Sequence, residues 1–385
     1  VYWNHMQQQQ KRTALILSGG GARGAYQVGT LKAIAHIQPD GGANPFDIIC
    51  GTSAGAINAS LLACESDHYG HAINRLEALW ENLQSDRIHN VGYTQLLKST
   101  FRLFGSFFQS GISSGPSTAL LDNQPLRDLL QAEVDFTKLD DHIKNGRLHA
   151  LCITALAYSS GQNISFYQGH KEIKGWRRNQ RIGVGTRLNH DHLMASSALP
   201  TIFPPVKIHR EYFGDGAIRQ SAPLSAALHL GAEKLFVVGV SFNQKDMEEP
   251  RERVTHTPTF AQIAGHLLNS SFIDAMSEDL EMLERFNFIS RYLNDDQLKA
   301  ANIRPVEVLT ITPSIRFDEI AAKHIPTLPR SMRTFFKTIG ATDTGGGASM
   351  ASYLLFEAEF CKELMEAGYK DAMDREDEIR AFLAL

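Results

Sequence analysis

Apolar residues fall along this chain in short runs that stop at glycine and give way to segments of helical period. Thr13 to Leu17 (TALIL) is compact and apolar and ends at Ser18-Gly19-Gly20-Gly21, the form of a short buried strand. From Ala25 onward Val28, Leu31, Ile34 and Ala35 recur at helical spacing. The unit then repeats, because FDIIC (46–50) runs directly into GTSAGAINASLLA, again strand, glycine turn and helix. Two successive strand–turn–helix units imply a parallel, doubly wound sheet, since parallel neighbours need crossover helices.

Further strands are predicted at 148–158, 163–168, 234–241 and 306–312, with a long helical stretch over 259–293. Residues after 350 read as helix and end in the mixed-charge run KDAMDREDEIR, expected to be a solvated face. RERVTHTPT (251–259) is polar, contains proline and lacks periodicity, which marks a break inside the chain. Residues 13–245 are therefore expected to form one domain, and 255–385 a mainly helical region packed on it. Val1 to His5 ahead of Met6 read as a tag remnant, and 1–12 as a flexible N-terminus.

Three places can carry chemistry. GTSAG (51–55) is a G-x-S-x-G pattern between a predicted strand and a predicted helix, the setting of a nucleophile elbow. Gly51 and Gly55 supply the missing side chains that so sharp a turn requires, with Thr52 and Ala54 flanking Ser53. The bland reading is a tight turn with Ser53 as helix cap. A serine needs a base, and none of the 15 histidines stands out as one. His190, Asp191 and His192 lack any metal-ligand spacing with a mechanism behind it and read as a solvated loop. His209 lies near Asp215 in sequence, with nothing to indicate its partners. The second place is YFGDGAIRQSAPL (212–224), where Asp215 sits between Gly214 and Gly216; it is either a turn residue or a carboxylate able to approach Ser53 as its base.

The third is the opening loop. Gly19-x-Gly21-x-x-Gly24 has the spacing of a dinucleotide loop, but the acidic residue expected for the ribose falls near Asp40, in a loop. No P-loop lysine follows either. The loop does offer free backbone N–H groups at a helix N-terminus, which suit a developing oxyanion.

Composition adds exclusions. The chain has 385 residues, 43% hydrophobic and 21% charged, with net charge −4, a balance that gives no reason to expect nucleic-acid binding. Lys171 to Arg187 is the most basic stretch and reads as a solvated loop or edge. The four cysteines form no CxxC pair and are expected to be buried free thiols in a reducing compartment. No apolar run approaches the about 18 residues of a membrane span, and MQQQQKR is no signal peptide. A cytoplasmic location is expected, with peripheral membrane association left open, and the oligomeric state is unread.

GGGARG, GTSAG and DGA, in this order, resemble the patatin-like phospholipases, and MASSALPTIFPPV ahead of Asp215 is also similar to them. The resemblance is closest over 13–241 and looser through DLEMLERFN and SYLLFEAEFCKELMEAGY. It implies a three-layer α/β/α sandwich with a mostly parallel central sheet, a helical C-terminal extension, and lipid acyl hydrolysis without a metal or cofactor. Carried over by position, Ser53 is the nucleophile, Asp215 its base, and Gly19, Gly20, Gly21 and Gly24 the oxyanion loop, with Arg23 beside it either to orient the loop or to neutralise substrate phosphate. The partner implied is a lipid ester; phospholipase, lysophospholipase, lipase and esterase action all stay open. A cap or lid is expected at about 85–120, where 93–115 gathers Leu96, Leu97, Phe101, Leu103, Phe104, Phe107 and Phe108, as lid, membrane contact or core. Competing readings are a nucleotide-binding oxidoreductase and a lipid-binding module without turnover.

Overall fold

The computed structural model describes residues 11–39, 42–82, 123–200, 202–242, 257, 259–301, 303–328, 330–341 and 347–385. The expected cap at 85–120 and most of the break at 251–259 lie outside the described residues. The strands are β1 (Thr13–Leu17), β2 (Ile48–Thr52), β3 (Ala150–Ala157), β4 (Asn163–Gly169), β5 (Trp176–Arg178), β6 (Arg181–Gly185), β7 (Val206–Ile208), β8 (Glu211–Asp215), β9 (Lys234–Val238) and β10 (Glu307–Ile311). They form one sheet in the order β10-β9-β1-β2-β3-β4-β6-β5, with β8 paired to β3 and β7 paired to β8.

The central strands are apolar on both faces because helices cover both. Along β1, Leu15 and Leu17 join one buried cluster while Ala14 and Ile16 join another on the opposite face. The first cluster takes in α1 (Ala25–Ile37), α2 (Ala54–Cys64) and α3 (Tyr69–Glu81); the second takes in the helices Ser225–His229 and Ala275–Ser290. Continuous apolar runs are what parallel strands buried on both faces require. The fold is thus a three-layer α/β/α sandwich around a mostly parallel sheet.

One feature of the sheet positions the site. β3 pairs in parallel with β2 from Ala150 to Thr154, and β2 ends there at Thr52. On the same edge of β3, β8 then takes over in antiparallel pairing, with Asp215 opposite Ala155, Gly214 opposite Leu156 and Phe213 opposite Ala157. The two strands therefore run toward each other along one edge and meet end to end. Ser53 leaves the end of one, and Asp215 is the end of the other.

The C-terminal region is part of the same body. β10 extends the sheet beside β9, and the helix Ala358–Met373 packs along α1, where the Tyr26 hydroxyl donates to Asp371 Oδ2 at 2.9 Å. Asp371 also accepts from the Ser314 N–H and hydroxyl at 2.9 and 2.6 Å. The final charge run is therefore not a wholly solvated face, since Asp371 and Ile379 are buried in it. The helical stretch expected over 259–293 is the helix Phe260–Asn269 joined to Ala275–Ser290 by a π-turn, Ser270–Asp274. Lys171 to Arg187 holds the edge hairpin of β5 and β6. All four cysteines are buried and free.

Candidate active site

Ser53 stands between β2 and α2 with φ 55° and ψ −127°, a backbone geometry that L side chains rarely adopt. The cost of such a residue, about 1–3 kcal/mol, is met by the packing around it. A Cβ on Gly55 would fall 2.2 Å from Leu17 O, and one on Gly51 would fall 2.4 Å from Gly55 O, so the elbow closes only with glycine on both sides. Ser53 occupies the N-cap position of α2, yet its side chain makes no capping hydrogen bond. The simple cap reading does not hold, and the hydroxyl is left for other contacts at the positive end of the helix dipole.

A second contact fixes the elbow. The Ser53 N–H donates to Ser196 Oγ at 2.9 Å, and Ser196 Oγ donates to Thr154 O at 2.7 Å. The Asp215 N–H donates to Ala198 O at 2.8 Å. The short segment 196–198 thus pins both strand ends at once. MASSALP carries a family resemblance but no local pattern that would give Ser196 this role.

Asp215 is 1% exposed. Its Oδ1 accepts from the Ala217 N–H at 2.9 Å, while Oδ2 has no hydrogen-bond partner among the described residues. Burial pushes its pKa up to about 7, and the neighbouring Ser53 hydroxyl and the Ala217 N–H offset this only in part. The hydroxyl interacts with the carboxyl without forming a hydrogen bond of ordinary length and angle, a looseness common in unliganded sites. The arrangement can pass a proton from the serine to a carboxylate whose pKa lies near neutrality.

Ser53, Asp215 and Gly21 line one apolar cleft together with Ala54, Ile57, Trp80, Leu126, Leu130, Leu199, Phe203, Tyr353, Leu354 and Phe356. Leu79 and Leu129 also line it, and they separate it from an outer cleft bounded by Arg75, Ala78, Asn82 and Glu133. Leu126, Leu129 and Leu130 form one stripe of the helix Gln124–Glu133, a spacing legible in the sequence but unread. Tyr353, Leu354 and Phe356 come from a segment whose sequence carries no chemical motif.

The glycine loop passes beside the serine under tight packing. Gly21 has φ 55°, and a Cβ there would fall 2.1 Å from Tyr353 O. Gly19 lies under the Phe272 ring, delivered by the π-turn, and Gly20 lies under Val240. These contacts leave no bed for a pyrophosphate, so the dinucleotide reading loses its footing. The Gly19 and Gly20 N–H groups have no protein acceptor among the described residues. Gly24 turns its carbonyl to Asn58 Nδ2 at 3.0 Å, and Asn58 Oδ1 accepts from Trp80 Nε1 at 2.8 Å. Loop and cleft wall therefore share one buried network.

Of the two roles open to Arg23, its contacts fit orienting the loop and not meeting a substrate phosphate. Its side chain is buried away from the cleft, donating to Ser352 Oγ at 2.8 Å, Tyr353 Oη at 3.1 Å and Ser349 O at 3.4 Å, over the Tyr353 ring at 3.8 Å. Its N–H donates to Gly20 O at 3.1 Å. Arg23 ties the loop to the helix Ala348–Leu354 and offers no donor to an oxyanion. His190, Asp191 and His192 are likewise not a solvated loop, because they open the helix His190–Ser196, capped by Asn189. His190 pairs with Val134 O at 2.9 Å, Asp191 with Arg127 at 2.7 Å, and buried His192 has its pKa pushed down to about 4 by desolvation. His209 sits exposed in the turn before β8.

The patatin-like phospholipase family model matches residues 15–228. A cGAMP-activated phospholipase of Pseudomonas aeruginosa is 32% identical over 215 residues, 56% of this chain and 55% of that protein. Lysophospholipase nte1 of Aspergillus terreus is 36% identical over 104 residues, 25% of this chain and 6% of that protein. The chain thus spans about half the length of the first relative and a small part of the second. Among solved structures, human GIVD cytosolic phospholipase A2 aligns with TM-score 0.43 at 11% identity, over 100% of this chain and 60% of that one. The matched segment covers more than half of the chain and includes Gly21, Ser53 and Asp215; the chain belongs to the patatin-like phospholipase family.

Proposed function

We propose that this protein is a lipid acyl hydrolase that cleaves carboxylic esters through a Ser53–Asp215 dyad and an acyl-serine intermediate. The observation that carries the reading is the end-to-end meeting of β2 and β8, which brings a strained serine and a buried carboxyl to one apolar cleft. Asp215 takes the Ser53 proton as Oγ attacks the ester carbonyl. Backbone N–H groups of the Gly19–Gly21 loop stabilise the oxyanion, each donor being worth about 2.7–4 kcal/mol of barrier. The protonated Asp215 returns the proton to the departing alkoxide oxygen. Water then gives its proton to Asp215 and attacks the acyl-serine, releasing the fatty acid and restoring the hydroxyl.

The cleft's lining of leucine, phenylalanine and tryptophan suits an acyl chain, and relatives named phospholipase and lysophospholipase support glycerophospholipids or their lyso forms as substrates. A fluorophosphonate probe mapped by mass spectrometry tests the reading. Labelling at Ser53 is expected, lost in Ser53→Ala and in Asp215→Asn. Full esterase activity in either variant would sink the dyad.

A further inference from the structure

Three arginines of the basic stretch, Arg177, Arg178 and Arg181, lie at the end of the sheet where Ser53 and Asp215 meet. Asp215 pairs with Ala155, Ala155 with Ile164, Ile164 with Ile182, and Ile182 with Arg177. Arg177 therefore stands on the same row as Asp215, four inter-strand spacings or about 19 Å away. Arg178 and Arg181 pair one row further out, beside the hairpin tip. The β7–β8 turn rises at this end too, with Lys207 and Arg210 exposed, and Arg219 stands exposed at the end of the short, largely buried turn that follows Asp215. The β3–β4 turn completes the rim, joined to β8 by the Tyr158 N–H donating to Tyr212 O at 2.9 Å.

These six cations make no ion pair among the described residues; Arg181, whose Nε is buried without a hydrogen bond, faces the Asp279 carboxylate at longer range, and the other five are exposed. Across the hairpin tip and the two turns the one carboxylate is Glu211, which already accepts from the Ser159 hydroxyl. Tyr158 and Tyr212 project from the same rim, 44% and 51% exposed. A chain of net charge −4 thus gathers unpaired positive charge and exposed tyrosine at its catalytic end. Cations to meet phosphate and tyrosines to sit at headgroup depth are the pairing an interfacial surface uses.

We infer that this rim is a docking face for an anionic phospholipid bilayer, holding the membrane across the mouth of the Ser53 site. The inference rests on the hydrolase reading for its purpose, but binding can be measured apart from turnover. The test is co-sedimentation with phosphatidylcholine vesicles with and without phosphatidylserine, at low and high salt. Wild type is expected to bind the phosphatidylserine vesicles and to be released by salt. The triple variant Arg177→Gln, Arg178→Gln, Arg210→Gln is expected to bind roughly 100-fold more weakly. Its turnover of a soluble short-chain ester stays at the wild-type level, which also shows that it is folded.

Binding that ignores phosphatidylserine or salt, or that survives the triple change, overturns the inference. So does a wild type that binds single-stranded nucleic acid but not anionic vesicles. Arginine-dependent vesicle binding by a protein that hydrolyses no ester supports the docking face and counts against the hydrolase reading instead.

Discussion

Replacing Asp215 with asparagine separates the cost of burying this charge from its use. An aspartate whose native pKa is about 7, against an ordinary value of 3.8, holds its proton in the fold after the unfolded chain has lost it. The native state therefore binds more protons across that window, and stability falls as pH rises from about 4 to about 7. The penalty works out to about 1.6 kcal/mol at about pH 5 and about 4.3 kcal/mol at about pH 8.5. Asp215→Asn removes it, at the cost of whatever the new amide fails to bond. That second term does not depend on pH, so it cancels between the two conditions. Urea unfolding of both proteins should show the variant's relative stability rising by about 2.7 kcal/mol between about pH 5 and about pH 8.5. Wild-type esterase activity should rise over the same interval as the carboxylate forms, through a single ionisation near 7, while the variant stays at background. A stability difference that is flat with pH would refute the reasoning, because it would mean an ordinary carboxylate at this site.

Three further outcomes follow from the geometry. Ser53→Gly should be more stable than Ser53→Ala by about 1 kcal/mol in chemical denaturation, since φ 55° suits glycine and strains alanine; equal stabilities would deny the strain. Ser196→Ala leaves the Ser53 N–H without its acceptor and should cost about 1–3 kcal/mol of stability and lower kcat more than KM, a split that an intact elbow would not show. Leu129→Ala joins the catalytic cleft to the outer one, of about 210 Å³, and should shift preference in a series of p-nitrophenyl esters toward longer acyl chains; an unchanged profile would show that Leu129 is no end wall.

The elements that could be read from the chain were those whose cause is local. β1, β3 and β9 are apolar runs bounded by polar or glycine residues, and each is a strand within a few residues of its expected ends. The elbow was legible for the same reason, because a strand, two glycines around a serine and a helix are neighbours in sequence. The short strands β5 to β7 were not, since three to five residues are too few to show a period and acquire strand geometry from the partner they pair with.

By itself, then, the sequence determined a parallel sheet buried on both faces, a sharp serine turn, a glycine loop of free amides and an aspartate held between glycines. It could not say that the aspartate meets the serine. That follows from β3 accepting β2 and β8 in turn along one edge, a relation between residues some 160 positions apart that no local pattern carries. Only the tertiary structure turned Arg23 away from the cleft, because its guanidinium finds Ser349, Ser352 and Tyr353, more than 320 residues later in the chain. It alone buried Asp215 and raised its pKa toward neutrality, since desolvation is a property of everything packed around a group and not of the group's own sequence.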